Sequence, residues 1–99
     1  MSPAEAKLLR RHGYEREGSV WVHRIPARVG LRVELLCVGA LPRYRIRAVA
    51  SESHRWYSGL LVDRLHDTLG AALADPGLAA LEAAVCLGAT LEDLGRRAW

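Results

Sequence analysis

The sequence predicts an α+β domain in two layers, an antiparallel sheet of three or four strands with helices packed on one face. Three observations lead there. Residues 14–50 alternate apolar and polar side chains with the period of a half-buried strand, whereas the segments before and after them repeat at helical spacing. The breaks between the alternating runs are short and rich in turn residues, the connections of antiparallel neighbours rather than helical crossovers. The order helix, strands, helices then leaves one face of the sheet to be covered and the other open to solvent or a partner. With 99 residues the chain has room for a single domain, 1–99, and one modest core.

Ser2-Pro3-Ala4-Glu5 forms a capping box with proline at the first helical position, and a helix is expected from Pro3 to about His12. Leu8, Leu9 and His12, with Ala4 or Glu5, make its inward stripe; Gly13 stops it. Tyr14–Glu17 and Val20–Ile25 flank Gly18-Ser19, a hairpin turn that sets Arg16 opposite Trp21 and Tyr14 opposite His23. After the Pro26–Gly30 loop, Leu31–Val38 alternates again, and Gly39-Ala40-Leu41-Pro42 returns the chain into Arg43–Ala50. That loop length pairs Val38 with Arg43, Leu36 with Arg45 and Glu34 with Arg47. Ser51–Ser53 reads as a strand exit and helix cap. Tyr57, Leu61, Leu65, Leu69 and Leu73 recur every fourth residue, so a long amphipathic helix is expected across the dry face of the sheet. Asp75-Pro76-Gly77 restarts a helix to about Leu87 with Leu78, Leu81 and Val85 inward, Gly88 ends it, and Thr90-Leu91-Glu92-Asp93 opens a short last helix.

Composition narrows the function classes. Half the chain is hydrophobic (51%) and a quarter charged (25%), the balance of a folded domain. Charges interrupt the apolar runs before any reaches the ~20 residues of a membrane helix, and Met1–Glu5 lacks a cationic start, so a cytoplasmic protein with no membrane partner is expected. Cys37 and Cys86 sit in apolar surroundings and read as reduced core residues. The net charge is +3, but eleven of the 14 basic residues and five of the 11 acidic ones fall at or before Arg55, making the molecule electrically two-sided.

Arg43, Arg45 and Arg47 point to one side of a strand, joined across the hairpin by Arg32 and from the preceding strand by Arg24. Such a row of guanidinium forks, with Leu36, Val38 and Val49 among them, suits phosphates or the carboxylates of a partner. Glu34, Glu15 and Glu17 share the same surface, which equally fits a cross-strand ion-pair lattice. Trp21 and His23 would join the arginines if the first hairpin were turned over. Asp63, His66 and Asp67 have the i, i+3, i+4 spacing of a helical ligand set, and Ser51-Glu52-Ser53-His54 collects nucleophile, acid and base types; a solvated face and a helix cap account for them, and no metal or cofactor is expected. Ala84, Gly88 and Leu94 keep the spacing of a helix-turn-helix, but Glu92 and Asp93 place the wrong charge beside DNA, so a packed helical hairpin is expected.

The stretch Leu8 to Arg24, LLRRHGYEREGSVWVHR, resembles the HicA family of small ribonuclease toxins in its helix, its Gly-aromatic strand start and its Gly-Ser turn. The resemblance implies a double-stranded-RNA-binding-domain-like fold with the cleaving histidine directly after the Gly-Ser pair. That place is Val20 here, the nearby imidazole is His23, and the helical tail from Gly77 has no counterpart in that family.

A domain this small without a convergent catalytic set is expected to be a non-enzymatic binding module. Its expected ligand is a protein, with the chain as adaptor, immunity factor or phage-type inhibitor of a bacterial macromolecular complex. The expected contacts are Arg32, Leu36, Arg43, Arg45 and Arg47, with Arg24, Trp21 and His23 as secondary ones. Nucleic acid on the same arginine face is the alternative, and a HicA-like ribonuclease toxin the third reading. An edge strand, or the apolar tail with Leu91, Leu94 and Trp99, offers a route to a homodimer.

Overall fold

A computed structural model of the chain describes residues 2–25, 31–39, 41, 43–50, 60–97 and 99. The first helix, α1 (Pro3–Arg11), begins as expected: the Ser2 hydroxyl accepts from the Glu5 amide and the Glu5 carboxylate accepts from the Ser2 amide, both at 3.2 Å. Leu9 is its buried residue, with Ala6 and Leu8 packed beside it; His12 is exposed, not part of the inward stripe.

Strands β1 (Glu15–Glu17), β2 (Val20–Ile25), β3 (Leu31–Val38), β4 (Arg43–Ala50) and β5 (Leu60–His66) follow in an antiparallel meander of spatial order β1-β2-β3-β4-β5. Gly18, at φ +62°, supplies the left-handed residue that the two-residue turn needs, and Arg16 lies opposite Trp21. Across the next hairpins Glu34 pairs with Arg47, Leu36 with Arg45 and Val38 with Arg43. The expected Pro26–Gly30 loop and the Ser51–Ser53 cap, with His54 and Tyr57, lie outside the described residues, as do Ala40 and Pro42 of the second turn.

The sheet therefore has five strands rather than three or four, because Leu60–His66 is a strand and not the middle of a long helix. A repeat of four is also a multiple of two, so the Leu61 and Leu65 spacing fits either structure. Two things favour the strand. The free backbone groups of β4 find partners in β5, and alternation turns Arg64 and His66 inward, where they meet Asp75. A bulge between Ala48 and Val49 lets β5 join with Leu61 as the extra residue.

Among the described residues of the expected helix, only the last part is helical: α2 (Leu69–Leu73), capped by the Thr68 hydroxyl at 3.1 Å from the Ala71 amide. The next, α3 (Pro76–Cys86), is capped by Asp75 and buries Leu78, Leu81, Ala84 and Val85. The stretch Leu69–Cys86 is long and apolar enough to cross a membrane by composition, a feature the sequence reading passed over, yet α2 and α3 part at the fully buried Asp75. The last helix, α4 (Leu91–Gly95), opens on a capping box between Thr90 and Asp93.

All four helices among the described residues contribute to one core. Leu9, Leu69, Ala72, Leu78, Leu81 and Leu94 meet Trp21, Ile25, Leu31, Val33, Leu35, Ile46, Ala48 and Val62 from one face of the sheet. Each fully buried Leu, Ile or Val contributes about 1.5–3 kcal/mol. Tyr44 ties α1 to this face through a hydrogen bond from its hydroxyl to the Glu5 carboxylate. Cys37 and Cys86 are free thiols but exposed, so they are not core residues. Cys37 falls on the core face by parity but borders an open cleft beside α1, and Cys86 is the exposed last residue of α3.

Candidate interaction surface

The opposite face of the sheet carries the arginines, and the five form an ordered ionic lattice. From β2, Arg24 donates to the Glu17 carboxylate at 2.7 Å, and Arg32 approaches the other Glu17 oxygen at 3.2 Å. Arg24 and Arg32 stand directly opposite each other, a like-charge pair that Glu17 bridges. Glu34, only 15% exposed, meets Arg32 at 3.2 Å with one oxygen and Arg47 at 3.1 Å with the other. The result is a continuous chain, Arg24–Glu17–Arg32–Glu34–Arg47, over three strands and the β1 edge. Val22 lies between Val20 and Arg24 on this face, so the bridge from Arg24 to Glu17 runs over it. That accounts for a valine 2% exposed outside the main core.

Arg45 makes a bidentate pair with Asp63 at 2.7 and 2.6 Å, and Arg43 reaches Asp67 at 3.6 Å. The fork on Asp63 holds that carboxyl below the usual carboxylate range, and Arg24 does the same for Glu17. Both acids therefore stay ionised through the physiological range. Among the described residues the five arginines thus share this side of the sheet with Glu15, Glu17, Glu34, Asp63 and Asp67, charges of opposite sign in equal number. Sequence reasoning counted the glutamates and missed the aspartates, because a helical Leu60–His66 does not border the arginines.

Apolar side chains fill the spaces. Leu36 pairs with Arg45, which pairs with Leu65; Leu65 is 53% and Leu60 47% exposed. The spacing of Asp63 and Leu65 by two residues was the signal for this side of β5, hidden under the repeat of four, while Leu61, the bulged residue, packs against the core.

Trp21 and His23 are not on this face. Trp21 is buried in the core with the Arg10 guanidinium 5.4 Å above its ring. His23 is half-buried beside Tyr14, their rings 5.3 Å apart, and its Nδ1–H donates to the Gly13 carbonyl at 3.1 Å. The structure separates these two residues from Arg24, Arg32, Leu36, Arg43, Arg45 and Arg47, which it brings together. Val20, at the place of the toxin family's histidine, is on the arginine side.

No family model, curated protein or solved structure matches the chain.

A second polar cluster was not foreseen. Asp75, 0% exposed, accepts two bonds from Arg64 and one from His66 Nε2–H, all at 2.7 Å, and one from the Leu78 amide at 3.0 Å. Arg64 also donates to the main-chain oxygen of Trp99. A histidine oriented by a buried carboxylate is half of a nucleophile-activating arrangement. Here Arg64 occupies the same carboxylate in a fork, and no hydroxyl or thiol among the described residues bonds to His66. The cluster fastens β5, α3 and Trp99 together. Asp63 and His66, read from the sequence as one solvated helical face, point to opposite faces of a strand, one to Arg45 and the other to Asp75.

Proposed function

We propose that the chain is a small, non-enzymatic binding module that docks on a protein partner through the outer face of its sheet. One observation carries the reading: Leu36, Val49, Leu60 and Leu65 stand among arginines whose charge is already answered within the face. A protein interface has an apolar centre and a polar rim, and ion pairs fixed beforehand reduce the side-chain entropy lost on binding. A phosphate-binding face gains its affinity from uncompensated positive charge, whereas the described arginines of this face are each paired with a carboxylate. Arg32, Leu36, Arg43, Arg45 and Arg47 are the proposed contacts, with Arg24 at the border and Leu65 added to the centre. An adaptor, an immunity factor or an inhibitor of a larger complex would use such a surface.

The test is capture of a specific protein by the immobilised chain. Leu36→Ser and Leu65→Ser are expected to abolish capture, while Leu87→Ser, at a leucine 89% exposed on α3's far end, should leave it intact. Equal loss from all three would assign the partner to another surface.

A further inference from the structure

Cations without carboxylate partners lie on the other side of the sheet. Lys7, Arg10 and Arg11 of α1 and Arg16 of β1 are exposed, and none of the four makes an ion pair among the described residues. At about 100° per residue, Arg10, Lys7 and Arg11 fall on one side of α1, away from Leu9. Arg10 is steadied over the Trp21 ring, and Arg16 Nε donates to the Gly18 carbonyl at 3.0 Å, while the outer N–H groups of both forks make no hydrogen bond among the described residues. Between them is an open cleft of about 400 Å³ lined by Ala6, Arg10, Arg16, Ser19, Trp21 and Cys37. A second hollow at the sheet edge is lined by the same two arginines with Gly13, Tyr14 and Glu15.

We propose that this face, formed by α1 and the β1–β2 turn, is a nucleic-acid docking surface. Arg10 and Arg16 take adjacent phosphates, and Lys7 and Arg11 extend the track along the backbone. The pull of the α1 dipole accounts for basic residues in its last turn, Arg10 and Arg11, but not for Lys7, Arg16 or the cleft. An acidic protein is the weaker fit. Protein interfaces centre on exposed apolar anchors, and the cleft offers none: its large apolar side chain, Trp21, is 6% exposed. Phosphodiester binding needs fixed guanidinium forks and no dry centre. Arg10 covers the Trp21 ring in the cleft, which keeps it from stacking on bases, so recognition there is of the backbone and tolerant of sequence. The inference stands apart from the protein-binding reading, since Arg16 and Trp21 occupy the face opposite Arg45.

The experiment is fluorescence anisotropy of short labelled RNA and DNA, single- and double-stranded, titrated with the full chain at about 50 and about 150 mM salt. Binding should weaken steeply with salt. The Lys7→Glu, Arg11→Glu double variant, which leaves the Trp21 stack in place, should lower affinity at least about tenfold and flatten the salt slope; Arg10→Ala and Arg16→Ala should do the same in part. Arg45→Ala should leave affinity within about twofold. Any of three results would overturn the proposal: no binding to any of the four probes at about 50 mM salt, equal loss from Arg45→Ala, or tighter binding to polyglutamate than to nucleic acid.

Discussion

Asp75 concentrates more structural consequence than any other described charge. Its carboxylate caps α3 and receives Arg64 and His66, so replacing it strands two donors and uncaps a helix. Asp75→Ala is expected to lower stability by about 3–5 kcal/mol in urea unfolding. The Arg64 fork, above all, holds the Asp75 carboxyl well below the ordinary 3.8. A carboxyl with a depressed folded value adds stability that is fully present above the unfolded value and lost as pH falls through the folded one. Stability should therefore decline from about pH 4 downward, and Asp75→Asn should remove most of that acid dependence. Tyr44 gives the opposite sign. Its bond to Glu5 pushes the hydroxyl up to about 12, so its contribution is present below pH 10 and lost as pH rises toward about 12. Tyr44→Phe should reduce that alkaline loss in a pH series of melting temperatures. Cys37 and Cys86 are exposed, and both should react with a thiol reagent in the native protein, whereas buried thiols would react only on unfolding.

At the level of elements, β5 is where local pattern and final structure part. Its strand assignment makes a testable distinction between two neighbours. Val62, 2% exposed, faces the core, and Val62→Ala should cost about 2 kcal/mol; Leu65, half exposed, faces outward, and Leu65→Ala should cost under about 0.5 kcal/mol. A helical segment with Leu61 and Leu65 inward would reverse that order. Gly77 tests the junction of β5 with α3. A Cβ there would overlap the Arg64 guanidinium and come within 2.7 Å of the Trp99 main chain, so Gly77→Ala should lower the melting temperature by several degrees. Elements fixed by near neighbours were legible: the Ser2 and Thr90 capping boxes, the Asp75 cap and the Gly18-Ser19 turn are decided within a few residues, and the hairpin registers follow from turn length. The strand β5 was not, since its partners lie far along the chain in β4 and α3.

For the molecule as a whole, the distribution of charge matters more than its sum of +3. One face of the sheet is electrically closed by ion pairs and rich in exposed leucine; on the other, α1 and the first hairpin hold cations in reserve beside the covered core. Exposed pairs of this kind add little to folding, so Arg45→Ala should change stability by less than about 1 kcal/mol, and its effect on partner capture can be read without a folding correction. Alternation along β3 and β4 was enough to place Arg32, Leu36, Arg43, Arg45 and Arg47 on one surface, because strand parity is a local property of the backbone. The sequence could not reveal which of those arginines are neutralised, nor that the half-buried Arg64 pairs with the buried Asp75. Those facts depend on Asp63, Asp67 and Asp75 arriving from distant segments, and electrostatic pairing acts on distance in space, not along the chain.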